Sequence, residues 1–186
     1  MKISGSRWLL STPVCALLAG CATSVVITPQ PTEKSPASCH IHGTVRYDGK
    51  PEYLPRALIA DPAGLDPVSF RYTFEAQYGL KETNWVLTAV NPLTLVGFPT
   101  GSDSLVITGH VEVVRGDDTI RSYAAAAAMK RSSTVFYEGE TFTEMRHRGL
   151  LLVRDNLSGQ LCHDEALLVA MLKSVPSGST SDHRAQ

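Results

Sequence analysis

VSFRYTFEAQY, residues 68 to 78, alternates without a break. Val68, Phe70, Tyr72, Phe74, Ala76 and Tyr78 are apolar or aromatic, and the residues between them, Ser69, Arg71, Thr73, Glu75 and Gln77, are polar. Successive side chains of a strand point to opposite faces, so this period of two predicts an extended segment with one dry and one wet face. A dry face needs a covering layer. An antiparallel sheet covered on one side supplies that arrangement.

The flanking sequence extends the sheet. HIHGTVRYDGKP from His40 reads as a strand followed by an Asp48-Gly49 turn, and NWVLTAV from Asn84 and SLVITGHVEVV from Ser104 read as further strands. Gly116-Asp117-Asp118 turns the chain into TIRSYAAAA, a hairpin signal. The alanines from Ala124 to Ala128 suit a helix by propensity. The hairpin, however, carries a strand at least into Ala124, and small strand side chains leave room for a helix to lie close. Strand is the favoured reading.

The covering layer comes last in the chain. Thr141-Phe142-Thr143-Glu144 has a hydroxyl for the orphan amides of a helix start and a carboxylate three residues on, the capping-box pattern. Beyond it Met145, Gly149, Leu152, Val153, Leu157 and Leu161 recur at helical spacing, with Arg146, His147, Arg154, Asp155 and Gln160 toward the other side. A shorter helix follows near Asp164, with Leu167, Leu168, Met171 and Leu172 apolar, and ends before Pro176. The expected fold is α+β: an antiparallel sheet of about four to six strands packed against one long and one short C-terminal helix. It occupies a single domain over 39–173.

The amino terminus carries a different message. Lys2 and Arg7 precede an apolar stretch from Trp8 to Leu18, which ends in Ala19-Gly20. That is the layout of a secretory signal over 1–20. The stretch falls short of the roughly 20 residues a membrane-spanning helix needs, and Pro13 interrupts it. Leu18-Ala19-Gly20-Cys21 resembles the lipobox of bacterial lipoproteins. The resemblance implies a diacylglycerol on the Cys21 thiol, cleavage just before it, and a further acyl chain on the new terminus. Each buried methylene is worth ~0.8 kcal/mol and one chain binds only marginally, so several chains make a stable anchor. Ala22 follows where an Asp would favour the inner membrane, so the resemblance implies the outer membrane of a bacterial envelope, facing the periplasm.

Composition agrees with export and excludes some functions. Without residues 1–20, 166 residues remain, with 15 basic against 18 acidic side chains, a net charge of −3. There is no electrostatic footprint for nucleic acid or for anionic lipid. Of four cysteines, Cys15 leaves with the signal and Cys21 carries lipid, so Cys39 and Cys162 remain as a disulfide candidate in an oxidising compartment. Their neighbours His40, His42, His163 and Asp164 admit zinc as the competing reading. Neither stretch has the close cysteine spacing of a structural zinc site, and no metal is expected.

Residues 21–38, rich in Ser, Thr and Pro, read as a flexible tether with one apolar spot at Val25-Val26-Ile27 that can dock, and 174–186 read as a disordered tail. NPLTLVGFPTG, Asn91 to Gly101, is unusually apolar for a connection. Trp85, Leu93, Leu95, Val96 and Phe98 either tuck under the helix or form a lip that meets a partner or lipid. Catalytic patterns are wanting: no nucleophile elbow, phosphate loop or dinucleotide fingerprint occurs. Gly101-Ser102-Asp103-Ser104 has the composition of a hairpin turn, and Glu138, Glu140 and Glu144 suit a helix start. No cofactor is expected. The sequence therefore favours a non-enzymatic, lipid-anchored binding or accessory subunit in envelope assembly or transport. A carrier or sensor of an apolar ligand, using the 91–101 loop and a gap between sheet and helix, is the alternative, and a small hydrolase is third.

Overall fold

The computed structural model describes residues 23–31, 39–61, 68–79, 82–83, 101–134 and 139–173. Seven strands and two α-helices follow in order: β1 (Ser24–Thr28), β2 (Ile41–Arg46), β3 (Leu58–Ala60), β4 (Val68–Tyr78), β5 (Glu82–Thr83), β6 (Gly101–Arg115), β7 (Asp118–Ser133), α1 (Phe142–His163) and α2 (Glu165–Lys173). The sheet runs β1-β7-β6-β4-β2-β3, with β5 pairing β6. Strands occupy the chain up to Ser133 and helices run from Phe142 to Lys173, an α+β fold. The strand expected from Asn84, the signal and Cys21, and the tail lie outside the described residues.

The alternation at 68–78 forms β4 with those bounds. Val68, Phe70 and Tyr72 are buried, and Phe74 is half-buried. β4 pairs antiparallel with β6 from Val68↔Arg115 to Tyr78↔Leu105. The β6–β7 hairpin turns at Gly116, whose φ of +61° needs no Cβ penalty there, and a bulge at Val113/Val114 leaves Ile120 as the extra residue of β7. The alanines are strand. Ala125 and Ala127 face the helix, and Ala124 and Ala128 face out.

The sheet is mixed, not purely antiparallel. β2 pairs parallel with β3 through its first half and parallel with β4 through its second. The chain bends near Asp48-Gly49 but does not double back. Pro51 and Pro55 have no amide to give a ladder, so the segment forms a short 3-10 turn, Pro51–Tyr53, that crosses over α1. Tyr53 hydrogen-bonds His147 Nδ1 at 2.9 Å. This crossover also corrects the reading of Arg154 as a wet-face residue: it is 7% exposed and donates from Nη1 to the Glu52 carbonyl at 2.8 Å.

α1 covers the dry face. Met145, Leu150, Val153, Leu157 and Leu161 are fully buried against Ile107, Val111, Ala125, Ala127 and Met129. Two glycines set how close it lies. A Cβ on Gly109 of β6 would stand 2.5 Å from Val153 Cγ1, and one on Gly149 of α1 2.7 Å from Ile107 Cδ1. α2 docks through Leu168 and through the Met171 carbonyl, which accepts from Arg115. Among the described residues, no helix is long and apolar enough to cross a membrane.

The capping box is present. Thr141 Oγ1 accepts from the Glu144 amide at 3.2 Å, and the Glu144 carboxylate accepts from the Thr141 amide at 2.8 Å. The Thr141 amide and hydroxyl, both donating to Glu144 Oε2 at 2.8 Å, stabilise the ionised carboxylate and lower the Glu144 pKa. Thr141→Ala removes the hydroxyl acceptor and is expected to cost ~1 kcal/mol, read as a lower urea midpoint at unchanged m-value. An unchanged midpoint would mean that tertiary packing alone fixes the helix start.

The apolar spot of the 21–38 stretch docks as an edge strand. Val25, Val26 and Ile27 belong to β1, which pairs antiparallel with β7 from Ser24↔Lys130 to Thr28↔Ala126. Three β-branched residues beside an open sheet edge find ladder partners there, which a solvated linker lacks. Residues 32–38 lie outside the described residues. The Gly101–Ser104 stretch is likewise no turn: it opens β6, with Asp103 2% exposed. There Arg131 donates to Asp103 Oδ2 from Nε at 2.8 Å and from Nη2 at 2.7 Å.

Candidate binding groove

Where β1 ends, β7 is still open along its first residues, and the chain lines a groove of about 1240 Å³ there. Ile27 to Pro31 form one wall, Thr119 to Tyr123 of β7 a second, and the last three turns of α1 a third. Cys39, His40, Arg56 and Ala57 close the remaining side.

Each wall is held by a named contact. The Asn156 amide donates to the Pro29 carbonyl at 2.7 Å, fastening the exit of β1 to the helix. The Gln160 amide donates to the Ala124 carbonyl at 2.9 Å and to Asn156 Oδ1 at 2.8 Å. Gln160 thereby satisfies the edge of β7 just beyond the last residue β1 pairs with, which is Ala126. Ser158 Oγ accepts from the Arg56 amide at 2.9 Å and donates to the Arg154 carbonyl at 2.9 Å.

The cystine anchors the far side. Cys39 and Cys162 lie at disulfide distance, S–S 1.98 Å with Cα atoms 5.4 Å apart, and join the approach to β2 to the last turn of α1. The expected pairing is present. With the sulfurs joined, the two thiolates a zinc site would use are consumed. Among the described residues no group of three or more His, Cys, Asp or Glu side chains is placed to hold a metal ion.

The charged feature of the groove is a triad at its rim. Arg121 Nη2 donates to Asp164 Oδ2 at 2.6 Å, and the Tyr123 hydroxyl donates to the same oxygen at 3.1 Å. The guanidinium also sits 5.7 Å from the centre of the Tyr123 ring. Asp164 is the C-cap of α1, where a negative charge opposes the helix dipole, and Arg121 offsets it. The hydrogen bond to Asp164 raises the Arg121 pKa further above its ordinary value. Burial, then the neighbouring carboxylate, push the Tyr123 phenol from 10.0 up to about 12.

That shift has a sign for stability. A phenol held neutral in the fold contributes fully below pH 10.0 and loses its contribution as pH climbs toward about 12. Alkaline pH is therefore expected to destabilise the domain. Tyr123→Phe is expected to be weaker at neutral pH, having lost the bond to Asp164, and to decline less steeply above pH 10.0. Tyr72, also raised by burial, keeps part of the slope. Denaturant midpoints across that range check it; parallel curves for the two proteins would refute the assignment.

Chemically the groove is mixed. Ile27, Ile120, Leu152 and Ala57 offer apolar surface, and Arg121, Asp155, Asn156 and His163 offer hydrogen bonds and charge of both signs. This suits recognition of a polar, extended ligand more than of a hydrocarbon. The residues expected to bind, Trp85, Leu93, Leu95, Val96 and Phe98, lie outside the described residues, as does Glu138. Glu140 pairs with Arg148 at 3.2 Å, and Glu144 serves the cap. Sequence reading missed Arg121, Tyr123, Asn156 and Gln160. Its one usable signal was the cystine, since Asp164 stands two residues from Cys162. No family model, curated protein or solved structure matches this chain.

Proposed function

We propose that this chain is a lipid-anchored protein of a bacterial envelope, at the outer membrane and facing the periplasm. It acts without catalysis, as a binding or accessory subunit in envelope assembly or transport, and offers the groove to a protein partner. The observation that carries this reading is Leu18-Ala19-Gly20-Cys21 at the end of a signal-like segment. The cystine supports an oxidising compartment. The mixed lining of the groove, with cation and anion on one rim, supports a polypeptide ligand.

Labelled palmitate fed to the native host is expected on the wild-type protein and not on Cys21→Ser, which leaves the membrane fraction. A membrane-bound, labelled Cys21→Ser would refute the anchor. For the groove, a crosslinked partner should be lost in Asp164→Arg and regained when Arg121→Asp is added. Loss without recovery would place recognition in other residues.

A second reading, contact of Trp85, Leu93, Leu95, Val96 and Phe98 with lipid or an apolar ligand, is favoured by one observation. The described strands on either side of 84–100 meet in register at Thr83↔Gly101, at the end of the sheet that also carries Ser24. Leu95→Ser with Phe98→Ser is then expected to remove co-purifying lipid detected by mass spectrometry.

A further inference from the structure

Building on the acylation of Cys21 proposed above, we infer that the sheet stands end-on against the phospholipid bilayer. It rests on the end that carries Ser24, Lys130 and Tyr78, and holds the charged rim of the groove, Arg121 and Asp164, away from the lipid. Three residues of chain separate the Cα of Cys21 from that of Ser24, a reach of ~11 Å at full extension. β1 is in register from its first residue, Ser24↔Lys130, and Ser24 Oγ donates to the Lys130 carbonyl at 3.4 Å. The acyl chains are therefore tied to one end of the sheet by a leash shorter than the strands it must pass. β7 alone has 16 residues, ~50 Å at the rise of a strand. The leash thus brings this end to the lipid, and a sheet standing on it carries the far end out of reach.

That end is built for a headgroup boundary. Tyr78, 53% exposed, stands edge-on to the half-buried Phe142 with ring centres 5.5 Å apart. Tyrosine, apolar along its ring and polar at its tip, suits the interface. Val25 and Val26 are exposed on β1, beside Lys130. Two arginines near this end are ion-paired, Arg131 with Asp103 and Arg148 with Glu140. Contact follows from the leash and the apolar rim.

The opposite end carries the groove. Arg121 lies nine residues along β7 from Lys130, ~30 Å at the rise of a strand. α1 spans the same gap, with Phe142 at the lipid end and its C-cap Asp164 at the groove, 22 residues or ~33 Å. The charged rim of the groove, Arg121 and Asp164, thus stands in the aqueous compartment about a helix length above the bilayer, whereas the wall at Ile27 begins three residues, ~10 Å, from Ser24.

The test uses the full acylated protein in vesicles of phosphatidylethanolamine and phosphatidylglycerol, with intact mass reporting the diacylglyceryl group on Cys21. Photoreactive Tyr78→benzoylphenylalanine is expected to crosslink phospholipid severalfold more than Arg121→benzoylphenylalanine. Equal or reversed yields overturn the orientation. Inserting about ten Gly and Ser residues between Thr23 and Ser24 adds ~35 Å of reach. It should lower the yield from position 78 severalfold at unchanged acylation; an undiminished yield overturns the leash as its cause. A Cys21 without acyl chains removes the premise, and the orientation with it.

Discussion

Replacing Cys39 and Cys162 together by alanine is expected to lower the stability of the domain by ~5 kcal/mol, a large share of the about 5–15 kcal/mol typical of a domain. The cystine closes a loop with a sequence separation of 123. In the chain-entropy account, the free energy withheld from the unfolded chain grows with the logarithm of loop length, and this loop takes in β2 to β7 and nearly all of α1. Alanine, not serine, is the right probe. Both sulfurs are buried, at 5% and 8% exposure, and a hydroxyl there would add its own desolvation cost. Urea midpoints of the wild type with and without reductant should separate widely, whereas those of the double variant should coincide. A wild-type midpoint indifferent to reductant would mean the bridge is not formed.

The second large effect is expected at the other end of the sheet. Asp103→Ala should cost about 3–5 kcal/mol, because it leaves a guanidinium without its counter-ion in a buried site. The side chains of Asp103 and Arg131 are only 3% and 14% exposed. Arg131 is fixed further by donating to the Glu140 carbonyl and by lying 4.7 Å from the centre of the Phe142 ring. The pair thus joins β6, β7 and the start of α1. Asp103→Leu with Arg131→Met should be much milder than Asp103→Ala, since an apolar pair of similar volume removes the desolvation penalty along with the attraction. Equal losses in the single and double variants would show that packing around Phe142, and not charge, holds this corner.

These two sites differ in how far sequence reveals them. The cystine was legible by elimination among four cysteines, and β4 and the start of α1 were legible because strand alternation and the capping box are local signals. Asp103 was not. In one dimension Gly101-Ser102-Asp103-Ser104 has the composition of a turn, and only the Asp103↔Arg131 register reveals a buried pair. The same holds for the parallel pairing of β2, because alternation reports which face a side chain takes and never which strand lies beside it. Arg154 misled for a third reason. Its burial depends on the 3-10 crossover, contributed by residues a hundred positions away. Arg121 and Asp164, 43 residues apart, meet through the bulge at Ile120 and the end of α1, and no spacing rule connects them.

β1 runs antiparallel along the edge of β7 with Ser24 first, and that ladder, the Ser24–Lys130 bond and the Asn156–Pro29 bond tie it to the body. A tug between the anchored terminus and a ligand seated in the groove would load this strand lengthwise. Its five backbone pairings then share the strain at once, as in shear, and do not open one by one as a peeled edge would. Under the proposed acylation of Cys21, the short first strand would in this sense be a mechanical coupling, strongest along its own length.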